Sequence, residues 1–532
     1  MGIKKLALGG YLLFVVFIVF SIMPYYRLEG IKKFSSKEEF LDYLEKAKYY
    51  VPLSLKNLMR VFSFGMKGAL MVEKGDMAPT IVMEYDEIKK YKEPERFSET
   101  TVQVTGIDEP DIAKTDGKKL YFSEKKTNII KAFPVVDLAL EGKIEKTGDL
   151  LLLGNTLLIF SHRNIYGYDV SEPSIPKEKW ILEIEDSLVG ARLYKEKLYL
   201  VTKTRIEEEK AIVPIILNKT TIDIPYEEIY HPITPIPADA VFSAIALEPH
   251  NGEIEGKVSF IGSSYSSIVY MSSKAIYITY LFAEKEKTGI VKIELEKFRP
   301  TAAGKTPGYL LNQFSLDEYN GYLRIATTIE EGVRRNSVYI LDENLNICGS
   351  IENLGLTEEI YAARFIEDKG YVVTFREIDP FYIIDLRDPK NPKLEGELKI
   401  PGYSSYLHPI TKDEILGIGK EGWGVKISLF DVSVPSMPKE RDKYILNENW
   451  SEVLTNHHAF LLDKKHGIFF LPAGKAGYIF SFDDDKIGLV KEIKDIFAKR
   501  AIYIDDYLYI LGTEKLIVFD EISWDRVKEL VF

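Results

Sequence analysis

Nine polar residues carry the chemistry that this sequence offers. Asp108, Glu109 and Asp111 stand together in one short stretch, and Asp317 and Glu318 are adjacent. Arg364, Asp379, His408 and His458 are spread along the second half of the chain. Carboxylates gathered at one rim would bind Ca²⁺, which takes six to eight oxygen ligands, or act as an acid–base pair. Neither acidic spacing matches a calcium loop. An arginine near these groups would attract an anion. His457 and His458 are neighbours; on a strand their side chains point to opposite faces, which makes them poor joint metal ligands. His408 precedes Pro409 and reads as a residue that hydrogen-bonds within a loop. Asp483-Asp484-Asp485 reads as a hairpin tip. The chain holds no Gly-x-Ser-x-Gly elbow, no His-Glu-x-x-His pair and no phosphate loop.

The elements that must position these residues read as strands. The clearest stretch is 362–401. It predicts four antiparallel strands, Ala362–Ile366, Tyr371–Phe375, Phe381–Leu386 and Leu394–Ile400, rich in β-branched and aromatic residues. Asp368-Lys-Gly370 reverses the chain, since Gly accepts positive φ. After the third strand comes Asp385-x-x-x-Pro389-x-x-Pro392. The same spacing recurs at Asp169, Pro173 and Pro176 and at Asp431, Pro435 and Pro438. These residues read as turn chemistry, with Asp starting the turn and Pro stopping the pairing. A lone four-stranded sheet with two apolar faces cannot bury both, so it needs copies of itself on either side.

The template predicts units near 107–146, 150–186, 188–262, 264–311, 313–353, 360–401, 403–447, 456–494 and 498–532. Most propellers have four to eight blades. The expected fold is therefore all-β: one large β-propeller of four-stranded antiparallel blades, eight or nine in number. The third unit carries an insertion, Thr204–Ala240, expected as a long surface loop. Stepping back along each inner strand reaches Lys114, Leu151, Arg192, Tyr270, Ser315, Arg364, His408 and Arg500, with His458 close by. Two readings of these cations follow. They make an anion-attracting zone near the axis, or each arginine pairs with a carboxylate between blades.

The 532 residues carry 69 basic and 81 acidic side chains, a net charge of −12, which disfavours nucleic acid as a partner. The lone Cys348 excludes an intramolecular disulfide and a cysteine-rich zinc site. A bias to Lys, Glu, Ile and Tyr, with Gln103 and Gln313 as the two glutamines, fits a thermophilic source. Residues 1–26 read as an uncleaved transmembrane anchor. Lys4 and Lys5 precede an apolar run from Leu6 to Met23, about 27 Å long as a helix, and Tyr25 and Tyr26 suit the interface. Residues 27–96 read as a membrane-proximal helical stalk or linker. Within them, Ser36-Lys-Glu-Glu39 forms a capping box and Phe40, Leu41, Leu44 and Ala47 share one helix face. Residues 97–532 are the propeller.

Several long stretches resemble a known family. They are Gln103-Val-Thr-Gly-Ile-Asp-Glu-Pro-Asp-Ile-Ala-Lys-Thr-Asp-Gly117 and Asn312-Gln-Phe-Ser-Leu-Asp-Glu-Tyr-Asn-Gly-Tyr-Leu-Arg-Ile-Ala-Thr-Thr328. Ala363-Arg-Phe365, Val373-Thr-Phe375, Ile400-Pro-Gly-Tyr-Ser404, Tyr406-Leu-His-Pro409 and Lys426-Ile-Ser-Leu-Phe-Asp-Val432 follow in order. Over 97–532 the chain resembles the secreted prokaryotic β-propeller family distantly related to WD40 repeats. It departs at Asn456-His-His-Ala-Phe460, where that family has Asp-His-Lys-Ala-Phe. The resemblance implies the fold and an extracytoplasmic address, and no reaction. Two functions stay open. One is a single-pass, membrane-anchored binding or scaffold module that takes a protein, a glycan or a small anionic ligand at the rim. The other is a hydrolase or lyase acting on an anionic polymer, with rim carboxylates as acid and base and arginine as charge stabiliser.

Overall fold

The computed structural model describes residues 30–48, 93–207, 210–282, 287–376, 379–482 and 486–532. The anchor expected at 1–26 and the hairpin tip at 483–485 lie outside the described residues, as does the Asp379 side chain. Among the described residues no helix is long and apolar enough to cross a membrane.

Nine antiparallel sheets follow one another along the chain, at 113–144, 149–184, 187–262, 267–307, 316–354, 359–400, 403–446, 461–493 and 498–531. Seven of them have four strands in chain order; the second and third have six, four of which form the blade while two extend its edge, so the described residues make nine blades. In blade 6 the strands are Glu359–Ile366, Lys369–Phe375, Asp379–Asp385 and Lys393–Ile400, close to the boundaries that the pattern predicts.

The ring is held by apolar contact between blades. Successive side chains on a strand point to opposite faces, and here each face meets a different neighbour. In blade 6, Val372 packs toward blade 5, while Tyr371 and Val373 pack toward blade 7. The remaining seams repeat this pattern, and nine buried clusters fill nine blade–blade interfaces. One of them joins Leu120 and Phe122 of blade 1 to Leu511 and Val518 of blade 9, which closes the circle without an exposed seam.

The repeated Asp and Pro residues latch the blades together. Asp169, Asp385 and Asp431 each accept a hydrogen bond from the backbone N–H two residues on, at 2.9–3.0 Å. The turn this sets places the Pro435 carbonyl of blade 7 on Gly396, in the outer strand of blade 6. A Cβ built on Gly396 would lie 1.9 Å from that oxygen, so only Gly allows the approach. Pro173 seats in the same way on Gly142, and Pro389 on Gly349.

The insertion at 204–240 is not a surface loop. Ile212–Leu217 and Thr220–Ile224 form a hairpin that extends blade 2 outward from Lys177–Ile184. Ile229–Pro232 pairs in parallel with the outer strand of blade 3, and Ile31–Lys33 pairs with Ile229–Pro232. The insertion is rich enough in apolar residues to complete open sheet edges rather than stay solvated. The helix Lys37–Lys48 docks on this extension. Phe40, Tyr43 and Ala47 are buried while Leu41 is exposed, and Phe34 stacks on His231 with ring centroids 4.0 Å apart. Ser36 Oγ accepts from the Glu39 N–H at 3.3 Å, but Glu39 reaches back to the N–H of Ser35, one residue earlier than a capping box requires. Residues 30–48 thus pack on the third sheet.

Candidate functional site

The residues before blade 1 form a strap along the inner strands. Phe97 pairs with Ile504 of blade 9, Asp108 with Leu193 of blade 3 and Asp111 with Leu150 of blade 2. Between these points Thr101 Oγ1 donates to the Phe460 carbonyl of blade 8, and Gln103 Nε2 donates to the carbonyls of Gln313 and Leu316 at blade 5. One short segment can reach blades 2, 3, 5, 8 and 9 only where all inner strands converge. The strap therefore occupies the hub, and three of the expected carboxylates, Asp108, Glu109 and Asp111, come from it.

Alternation along the strap sends each carboxylate to a different partner. Asp108 accepts from Lys114 Nζ at 2.7 Å. Asp111 takes both Nε and Nη2 of Arg500, at 2.8–3.0 Å, and Arg500 also reaches Glu452 at 2.8 Å. Burial opposes the Asp111 charge, but Arg500 holds its pKa below the usual carboxylate value. Glu109 is the most connected. Its Oε1 accepts from the Gln103 N–H at 3.1 Å and lies 3.5 Å from Arg192. Gln313 Nε2 donates to both Glu109 oxygens, and Arg192 donates to Gln313 Oε1. On the far side, His457 Nε2 and His458 Nε2 lie 3.3 and 3.6 Å from Oε2. Burial would raise the Glu109 pKa, yet the Arg192 charge holds it well below the ordinary range.

Two expectations change here. The arginines do pair with carboxylates, but Arg192 and Arg500 find theirs on the strap as well as between blades. His457 and His458 do not diverge as strand residues would. Asn456 accepts from the His458 N–H and caps a 3₁₀ turn, His457–Ala459. In such a turn neighbours differ by about 120°, and both rings reach Glu109 with centroids 4.0 Å apart.

The remaining expected residues take hydrogen-bond partners other than Glu109. Asp317 receives Arg324 Nε at 2.9 Å. Glu318 accepts from Ser272 Oγ at 2.5 Å, and its N–H donates to the Tyr270 hydroxyl. His408 Nδ1 pairs with the Tyr406 hydroxyl at 2.8 Å, and burial, then Arg364, pushes its pKa down to about 3. Arg364 lies over the Phe314 ring at 4.7 Å and reaches the Gln103 carbonyl at 3.4 Å. Among the described residues no carboxylate stands in ion-pair reach of Arg364. The five expected carboxylates with described side chains do not gather into one oxygen-rich cation cradle of the kind Ca²⁺ takes.

Beside the strap lies a cavity of about 280 Å³, bordered by Phe97, Asp108, Lys114, His458 and Arg500. At the strap's start, Arg96 forks onto Asp463 at 2.7 and 2.9 Å and reaches Glu521 at 3.0 Å, which ties it to blades 8 and 9. Sequence reasoning passed over Gln103 and Gln313 as site residues. Their rarity was the available signal, because the chain's two glutamines meet at this one point.

Residues 97–523 match the beta propeller domain family. The chain belongs to that family. Among curated relatives, an uncharacterized protein of Archaeoglobus fulgidus is 41% identical over 94% of each chain. An uncharacterized protein of Methanocaldococcus jannaschii is 36% identical over 85% of this chain and 86% of its own. Among solved structures, a eukaryotic initiation factor is similar at 10% identity and TM-score 0.45, over 77% of this chain and 95% of that one. BamB from Moraxella catarrhalis is similar at 10% identity and TM-score 0.38, over 68% and 93%.

Proposed function

We propose that this protein is a binding scaffold, held at a membrane outside the cytoplasm by residues 1–26, that receives an anionic group of its ligand at Arg364. The observation that carries the reading is a charge imbalance. Lys114, Arg192, Arg324 and Arg500 are each neutralised by a carboxylate within 3.5 Å. Arg364 is half-buried and has an aromatic ring and one long hydrogen bond instead. A guanidinium backed by a ring presents its remaining N–H groups in a fork that fits a carboxylate or phosphate. The hydrolase or lyase reading needs an acid and a base free to meet substrate. Asp317 and His408 are instead engaged by Arg324 and Tyr406, so binding is the better supported.

The test uses the full chain in detergent, titrated with citrate, inorganic phosphate and oligogalacturonate by calorimetry. The expected result is one saturable, salt-sensitive site for at least one of them, lost in Arg364→Met. Equal binding by the wild type and R364M, or no binding of any of the three, overturns it. The address is tested by external protease on intact cells. Loss of the propeller is expected, together with release of a chain lacking 1–26 to the soluble fraction.

A further inference from the structure

We infer that Glu109, His457 and His458 form a binding site for a divalent d-block metal ion of the zinc class. One ligand atom from each lies within 4.8 Å of the others. The Glu109 Oε2 to Nε2 distances, 3.3 and 3.6 Å, are close to the roughly 3.3 Å edge of a tetrahedron with bonds of about 2.0–2.1 Å. Small inward shifts of these side chains would close the site on an ion.

The hydrogen bonds point the same way. His458 Nδ1 lies 2.7 Å from the Thr101 carbonyl oxygen. A carbonyl only accepts, so Nδ1 carries the proton, and in the neutral ring Nε2 presents a lone pair. That lone pair faces a carboxylate oxygen, an acceptor against an acceptor, and the arrangement calls for a cation between them. A backbone carbonyl behind a histidine is also what fixes the ring of a metal ligand. His457 Nε2, buried at the same oxygen, has no hydrogen-bond partner. The opposite oxygen of Glu109 takes the Gln103 N–H and faces Arg192, so the protein's own cation lies on the other side.

The donor set selects the metal. Two imidazoles and one carboxylate suit zinc, cobalt, nickel or copper, whereas calcium and magnesium prefer oxygen alone. Three protein ligands leave a fourth position. His458 borders the 280 Å³ cavity, from which water or a ligand donor atom completes the sphere. The ion would pin the strap to the turn before blade 8. The other ligand-capable group among the described residues, Asp463, His466 and Glu521, already holds the Arg96 guanidinium and carries no such inference.

The experiment treats the purified full chain with chelator, dialyses it, and titrates it with Co²⁺ and then Zn²⁺. Bound metal is read by mass spectrometry and geometry by the visible spectrum. One Co²⁺ per chain with the intense bands of a tetrahedral site, displaced by Zn²⁺, is expected. His457→Gln and His458→Gln should each weaken binding by about tenfold or more, while His162→Gln, in an exposed turn of blade 2, leaves it unchanged. Thermal melts of the same samples show which variants are folded. A folded wild type that takes up no stoichiometric metal overturns the inference. So does metal uptake that H457Q and H458Q leave intact. In either case a shared proton, not a metal, joins the histidines to Glu109.

Discussion

Glu521→Gln should stabilise this protein at high pH and leave it unchanged at low pH. Glu521 follows the third strand of blade 9, and its side chain is fully buried. It shares Arg96 with Asp463, which is itself 2% exposed and takes both arms of the guanidinium. Glu521 Oε1 has no partner. One cation therefore serves two buried acids. Burial first, and the Asp463 charge second, push the Glu521 pKa from 4.5 up to about 8. The folded protein thus keeps a proton that the unfolded chain releases near the ordinary value. Between those two pKa values it binds more protons than the unfolded chain, so stability falls as pH rises from about 4.5 to about 8. A shift of about 3.5 units at 1.36 kcal/mol each gives a loss of up to about 5 kcal/mol. Glutamine keeps the shape and cannot ionise, so the variant escapes the loss. For roughly 430 propeller residues the unfolding entropy is about 0.9 kcal/mol per kelvin, which makes the gap about 5 °C. The assay is scanning calorimetry of both proteins at pH 5 and pH 9. A variant that melts lower than wild type at pH 9 would refute the reasoning, because it would mean that Glu521 is ionised and usefully paired with Arg96.

Two further substitutions probe the strap and the blade latch. Asp111→Asn leaves Arg500, 3% exposed, with Glu452 as its remaining carboxylate; a loss of about 3 kcal/mol is expected, seen as a lower melting temperature and faster proteolysis near residues 93–111. Unchanged stability would mean that the strap is not fastened to blade 9 by this pair. Gly396→Ala drives a methyl into the Pro435 carbonyl between blades 6 and 7 and should cost about 1–3 kcal/mol in denaturant titration, whereas Gly422→Ala, with open space around it but positive φ, tests backbone strain alone.

The blades were legible because each is local. Antiparallel strands joined by short turns write their own alternation and turn residues into adjacent sequence, as at Asp368-Lys-Gly370 and at the three Asp and Pro turns. Nine such units could be counted without knowing how they met. The turn residues were legible as turns; that Pro435 also rests on Gly396 of the previous blade was not, because nothing in either segment names the other. The insertion was misread for a related reason. Its apolar residues looked unpartnered until the edges of blades 2 and 3 were in place. Likewise, His457 and His458 were assigned to a strand because the capping role of Asn456 is a matter of geometry rather than composition.

The order of strands, the closed all-β architecture and the identity of the charged residues near the axis were all determined by the amino-acid sequence, since they follow from short-range pairing and from the need to cover two apolar faces. Which charges meet was decided by the tertiary structure alone. Glu109 touches residues from blade 3 and from the turns before blades 5 and 8, positions up to some 350 residues away in the chain. Ring closure is what brings them within hydrogen-bonding distance, and a strap threaded through the hub is what supplies the carboxylate.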